Sequence, residues 1–217
     1  MLINLFFQNP IEFVIVALLL IATLSIHEFA HAFVADHLGD PTPRLAGRLT
    51  LNPLAHLDIV GTLLLLFAGF GWGKPVPIDP FKLRDTKKDS ALISFAGPGS
   101  NLLMAIIASL LLRLSLFVPS LSLNLFIWDI ISYFIFWNII LAVFNLIPIH
   151  PLDGFTVVGG LLPHKYYQEW LELSRYGIIF LVLLIMPFFG TSPISTLLSI
   201  VNFFMSILIP GKLGGII

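Results

Sequence analysis

Apolar residues run almost unbroken through positions 11 to 35, 91 to 117, 126 to 148, 176 to 190 and 194 to 210, with a shorter run at 57 to 71. A hydrocarbon core of about 30 Å takes roughly 20 helical residues to cross. The longer runs therefore predict transmembrane helices, whereas 57 to 71 is too short for an ordinary crossing and reads as re-entrant. The run at 176 to 190 is also short, but the residues before it can extend it. Between the runs, residues 73 to 90 form the most polar connector, with Pro75, Pro77 and Pro80 set among Lys and Asp. Each proline disfavours helix at the residue before it, so Lys74 to Ile78 is expected to be extended. Residues 161 to 174 place Tyr166, Trp170 and Leu173 on one helical face behind Pro163, which predicts a short interfacial helix with aromatic anchors. The pattern as a whole predicts an all-α polytopic membrane protein. It has about five transmembrane helices plus the re-entrant segment, in a single membrane-embedded domain over residues 1 to 217.

Composition narrows the function classes. Of the 217 residues, 58% are hydrophobic and only 11% charged, so a large water-facing domain has no room to exist. With a net charge of −1 and no basic block longer than Lys87-Lys88, nucleic acid is not an expected partner. There is no cysteine, which excludes thiolate chemistry, disulfides and zinc ribbons. The N-terminus lacks a basic n-region and reads as a retained span rather than a cleaved signal. Charge also sets orientation. If 57 to 71 is re-entrant, Arg44, Arg48, Lys74, Lys82, Arg84, Lys87, Lys88, Lys165, Arg175 and Lys212 share one side and only Arg113 lies on the other. This is a cleaner fit to the positive-inside rule than the eight-to-three split that a full crossing gives. The expected topology is N-terminus outside and C-terminus inside.

The chemistry is concentrated in His27-Glu28-Phe29-Ala30-His31, in the inner half of the first span. Residues four apart on a helix differ by about 40° in direction, so both imidazoles can bind one Zn²⁺, and Glu28 projects from the same turn as an acid/base. Three ionisable groups at membrane depth cost several kcal/mol unless a metal or partners compensate, which makes them a functional site by default. A catalytic zinc needs a third protein ligand. His37 follows His31 by six, as in the metzincin pattern, but the turn glycine of that pattern is replaced by Val34. On an unbroken helix His37 points about 240° away, as an interfacial histidine at the end of the span.

A better third ligand lies in Phe144-Asn145-Leu146-Ile147-Pro148-Ile149-His150-Pro151-Leu152-Asp153-Gly154. There Pro148 and Pro151 interrupt the helix and can aim Asp153 or His150 into the bundle. With 57 to 71 re-entrant, His31 and Asp153 reach the same cytoplasmic side; a full crossing would separate them.

These segments resemble the site-2 protease family of intramembrane zinc metalloproteases in its minimal form, without a PDZ or cystathionine-synthase-like domain. The likeness covers Ser25 to His31, Asn52 to Asp58, Gly71 to Pro77, Phe95 to Asn101 and Asn145 to Gly154. It implies that His27, His31 and Asp153 bind one zinc and that Glu28 is the catalytic acid/base. It further implies that Asn145 positions the scissile peptide or stabilises its oxyanion. Extended backbone or short β-strands near the active site would present the substrate as a strand. The substrates implied are transmembrane proteins within the lipid bilayer, cut during regulated intramembrane proteolysis. One departure stands before Pro151, where the family commonly has proline and this chain has His150, a candidate substrate contact.

The remaining polar residues carry weaker signals. Asn138 and Asn145 are seven apart and share a helix face, turned to a polar interior or bonding between helices. Gly97, Gly99 and Ser100 let helices approach closely, and Asn101 is within reach of the site on some helix pairings. His56 is a candidate substrate contact, but a structural hydrogen-bonded pair with Asp58 is the stronger expectation. Two other functions compete with a protease. A divalent-cation transporter would not need Glu28 and usually shows two related halves; an inert scaffold is disfavoured by the intact Glu28.

Overall fold

The computed structural model describes residues 2–68, 71–118, 123–186 and 194–210. Its helices are α1 (Leu2–Gln8), α2 (Pro10–His37), α3 (Thr42–Leu45), α4 (Ile59–Ala68) and α5 (Thr86–Phe117). They continue with α6 (Leu125–Asn145), α7 (Asp153–Leu161), α8 (His164–Glu172), α9 (Gly177–Ile185) and α10 (Ile194–Leu208). Local chemistry starts the three long ones. Asn9 caps α2 by accepting from Glu12 N at 3.2 Å, with Pro10 in the first turn where its missing N–H costs nothing. Asp85 caps α5 through Lys88 N at 3.1 Å, and Asn124 caps α6 through Ile127 N at 2.9 Å.

Three helices, α2, α5 and α6, are long and apolar enough to cross a membrane. The described parts of the last two expected spans are shorter, nine residues in α9 and 15 in α10, and residues 187–193 between them lie outside the described residues. The expected count of five is therefore not reached by helix length alone.

The central element is α5. Its buried positions Asp89, Ile93, Gly97, Asn101, Ala105, Ser109 and Leu112 recur at intervals of three and four, one continuous face along the helix in which all but Ile93 and Leu112 are small or polar. Small side chains allow close helix approach where lipid offers no hydrophobic driving force. Against this face α2 runs antiparallel, since His27 meets Asn101 and His31 meets Ile93. The opposite face of α5 presents Leu103, Ile107, Leu110 and Leu114 outward, as a lipid-facing surface does.

The run at 57 to 71 folds as the ten-residue α4, about 15 Å long at helical rise and half of a bilayer core. An isolated antiparallel bridge joins Leu57 to Gly73, so the chain leaves this segment at the level where it entered. That bridge is the one β-feature among the described residues, and the expected short strands are otherwise absent. Lys74 N donates to His56 O at 2.7 Å, and Pro75 and Pro77 take the N–H groups from the other edge of the stretch after Gly73, so no further strand can pair there.

Two buried polar groups fasten the loops at this end. Arg48 donates to the carbonyls of Ala55 and Lys74. Asp40, fully buried, accepts from Thr42 N at 3.0 Å and Asp79 N at 2.7 Å. Burial pushes the Asp40 carboxyl up, but the hydrogen bonds from Thr42 and Asp79 outweigh it and hold the group below the usual carboxylate value.

One expectation about the C-terminal third is corrected. Trp170 is not an outward anchor: its Nε1 donates to Phe155 O at 2.8 Å and its ring stacks on Phe155 at 4.9 Å, docking α8 onto α7. Tyr166 and Leu173 are exposed as expected of an interfacial helix. The described end of α10 lies beside Ser109 and Arg113, which donate to the carbonyls of Leu208 and Ile207. Ser109 is twelve residues beyond Gly97, about 18 Å along α5 and away from the basic loops. The last described turn thus sits in the half of the bundle away from the basic loops, and residues 211–217, on which the expected C-terminal side falls, lie outside the described residues.

Candidate metal centre

The sequence places His27 and His31 one turn apart on α2, and the fold brings Asp153 to them from α7. After α6 ends at Asn145, the chain passes through a non-helical turn containing Pro148 and Pro151 and resumes helix at Asp153. Gly154 makes that return possible. A Cβ there would fall within 2.5 Å of Ile147 O and closer still to Leu146 O, so only glycine lets α7 begin against the end of α6.

The three ligand atoms converge. His27 Nε2 and His31 Nε2 are 3.0 Å apart, and Asp153 Oδ2 lies 3.2 Å from the first and 3.4 Å from the second. Ligands about 2.0–2.1 Å from a tetrahedral zinc stand roughly 3.3 Å from one another, so the observed triangle has the size of one face of such a site. The histidines are buried and Asp153 is partly buried.

The hydrogen bonds behind the ligands fix their chemistry. His27 Nδ1 is 2.6 Å from Asn101 Oδ1, and His31 Nδ1 is 2.7 Å from Ile93 O. Both partners are acceptors, so both Nδ1 atoms carry the proton and both Nε2 atoms present lone pairs to the centre. Asp153 Oδ2 is buried with no conventional hydrogen-bond donor. A proton could relieve one of the three close contacts; a cation relieves all three at once. The donor set, two imidazoles and a carboxylate, suits zinc. Gly97 completes the cradle, because a Cβ there would collide with His31 Nε2 and stand 2.6 Å from His27 Nε2.

Glu28 is half-buried one residue after His27, within electrostatic reach of His31. Asn145 closes α6 with its amide donating to Leu141 O at 3.0 Å, at the mouth of the turn that delivers Asp153. His150 is exposed in that turn, edge-on to Phe155 at 5.7 Å, and outside the three-ligand group. His37 ends α2, exposed, with Nδ1 3.1 Å from Phe33 O. His56 is fully buried with Nε2 2.7 Å from Thr50 O. It does not pair with Asp58, which instead caps α4 through Gly61 N at 2.8 Å.

Sequence reasoning treated Gly97 as a helix-packing residue and left Asn101 undecided. Both line the imidazoles. The signal was there in their spacing of four on α5, but only the antiparallel register of α2 against α5 turns that spacing toward His27 and His31.

Known proteins were compared with the chain. It is 41% identical to "Putative zinc metalloprotease YwhC" of Bacillus subtilis over 172 residues, covering 77% of this chain and 78% of that protein. It is 32% identical over 193 residues to "Putative zinc metalloprotease Rip2" of Mycolicibacterium smegmatis, covering 82% and 71%. At 26% identity over 199 residues it also matches "Zinc metalloprotease MJ0392" of Methanocaldococcus jannaschii, covering 91% of this chain and 49% of that protein. No family model and no solved structure matches.

Proposed function

The chain belongs to the family of zinc metalloproteases that includes YwhC and Rip2, and from that premise we propose that it is an intramembrane endopeptidase of the site-2 protease type. Its substrates are membrane proteins cut in or near their transmembrane segments, as a step of regulated intramembrane proteolysis. The observation that carries the reading is the meeting of His27, His31 and Asp153 inside a bundle of three membrane-length helices. A metal site of this composition at that depth has little use for structure alone, since Asp153 and the imidazoles could be replaced by apolar side chains at lower cost.

Zinc is the cofactor, and when bound it supplies Lewis acidity toward a peptide carbonyl and brings water toward neutral acidity. His27, His31 and Asp153 hold it. Glu28, on the same turn, takes a proton from the attacking water and later gives one to the leaving nitrogen. Asn145, at the end of α6 before the turn that leads to Asp153, orients the peptide or donates to the developing oxyanion. His150, exposed in the turn that leads to Asp153, is the stronger of the two histidines offered as substrate contacts; His56 is buried with a structural hydrogen bond and is the weaker candidate.

A helical substrate hides its amides in its own hydrogen bonds, so it must unwind before attack. The stretch from Lys74 to Ile78 keeps the N–H groups of Val76 and Ile78, which offer a backbone edge to receive it. The connection from α2 to α5 and the first turn of α5, at the metal end of both helices, hold Arg44, Arg48, Lys74, Lys82, Arg84, Lys87 and Lys88, which supports a site near the cytoplasmic face with the N-terminus outside.

The test is co-expression of candidate membrane substrates with wild type and with Glu28→Gln. Loss of cleavage with zinc retained is expected. Equal cleavage by both would remove Glu28 from the mechanism, and zinc retention with no cleavage in either would favour a transporter or scaffold.

A further inference from the structure

Behind His27 a chain of side-chain amides crosses the bundle. Asn101 Oδ1 is 2.6 Å from His27 Nδ1, Asn101 Nδ2 donates to Asn138 Oδ1 at 3.1 Å, and Asn138 Nδ2 donates to Thr23 Oγ1 at 3.2 Å and to Phe134 O at 2.8 Å. Thr23, Asn101 and Asn138 are each 0% exposed. The chain leaves α2 at His27, passes through α5 and α6, and returns to α2 one turn away at Thr23.

An amide can be reversed end for end, and which end faces which neighbour decides what each neighbour must do. Here one member has no choice. Phe134 O is a backbone carbonyl and only accepts, so Asn138 must present its NH₂ to it. Its Oδ1 is then left to accept from Asn101 Nδ2, which turns Asn101 Oδ1 toward His27. Facing an acceptor, His27 Nδ1 must carry the proton, and Nε2 keeps its lone pair for the centre. His31 reaches the same state more directly, through a backbone carbonyl of its own.

We infer that Asn138 is a positioning residue that sets the tautomer of His27 through Asn101, with Phe134 O as the fixed point of the relay. The inference rests on the zinc reading above and deepens it: the ligand state of His27, on α2, is imposed from α6, two hydrogen bonds away from the ring. Thr23 plays a lesser part, because its hydroxyl can donate or accept and therefore imposes no direction.

The test uses the full chain in lipid nanodiscs. Zinc affinity is measured by chelator competition, and the ligand field is read from the visible spectrum of the Co²⁺-loaded protein. The tautomer is read from the ¹⁵N shifts of His27 in the metal-free protein. Outer partners of metal-bound histidines are typically worth 10- to 100-fold in affinity, so Asn138→Leu and Asn101→Leu should each weaken zinc by about that factor. A carboxylate accepts whichever way it faces. Asn101→Asp alone sets a carboxylate oxygen against Asn138 Oδ1, which Phe134 O holds in place, so the rescue is read in the double variant Asn101→Asp with Asn138→Leu, which should recover the affinity that Asn138→Leu loses. A residue that only packs would not be rescued from α5.

Unchanged affinity and Co²⁺ spectrum in Asn138→Leu would overturn the inference, as would a double variant no better than Asn138→Leu. If the α6 variants fail to fold, the metal-free wild type still decides: a proton on Nδ1 of His27 is expected, and one on Nε2 refutes the relay. Wild-type protein that binds no zinc would sink the metalloprotease reading instead, and leave the tautomer measurement to judge this one.

Discussion

Replacing Gly97 with alanine should empty the metal centre while leaving the bundle assembled. Gly97 is buried on α5 where that helix passes the two imidazoles. The methyl carbon of alanine would collide with His31 Nε2 and lie 2.6 Å from His27 Nε2, against about 3.4 Å for ordinary contact. At least one ring must therefore move by roughly 0.8 Å, several times the ±0.2 Å latitude of a zinc–ligand distance. Two terms favour the fold. The clashing atoms are side-chain tips rather than backbone, and alanine is about 1 kcal/mol better than glycine inside a helix. The hydrogen bonds that tether both rings at Nδ1 resist the movement, so the rings cannot swing aside and keep the ligand triangle. A misplacement approaching 1 Å at a reaction centre costs on the order of 100-fold, and a loss of zinc affinity of at least that size is expected. Elemental analysis of the purified variant gives zinc per chain, and thermal melting in detergent reports the fold. A folded Gly97→Ala protein that holds one zinc with wild-type affinity would refute the reasoning.

Chelation should end cleavage and lower the melting temperature, with both restored by Zn²⁺; zinc at a hundred times its dissociation constant stabilises by about 2.7 kcal/mol. Trp170→Phe keeps the stack on Phe155 but loses the hydrogen bond to Phe155 O, for about 1 kcal/mol of stability. Trp170→Ala removes both, for about 3 kcal/mol, and should also weaken zinc, because α8 no longer braces the helix that carries Asp153. Denaturation of wild type against Asp40→Asn across acid pH tests the loop latch. The folded pKa of Asp40 is depressed, so the unfolded chain takes up the proton first. Its contribution is complete above the ordinary carboxylate pKa of about 4 and is lost as pH falls through the folded value, and the variant should show a flatter decline.

What the sequence revealed depended on how local each signal was. His27, Glu28 and His31 lie within one and a half turns of one helix, so helical geometry alone brings them together. Asp153 was legible because two prolines and a glycine announce a broken helix ending in a carboxylate. Asn101 and Gly97 were ambiguous for the opposite reason. Each is turned toward the site only by the register of α5 against α2, and a shift of two residues would aim them elsewhere. Trp170 was misread because an amphipathic helix shows the same face whether that face meets lipid or a neighbouring helix; Gly159, which leaves room for its indole, was the overlooked hint. The strands were expected from extended backbone, but Pro75 and Pro77 strip the N–H groups from one edge of that stretch, and on the other the pairing goes no further than Lys74 N on His56 O.

Asp153 stands 126 residues after His27, and that separation gives the protein a timetable. A ribosome threads α2 into the membrane, with both histidines and Glu28 in place, well before it has made the third ligand. Until α7 docks, the chain is a two-histidine site with weak hold on metal and no means of cutting the helices inserting beside it. Competence arrives with α7, after all three membrane-length helices have been made. A chain broken off before residue 153 is therefore inert rather than a loose protease at large in the bilayer.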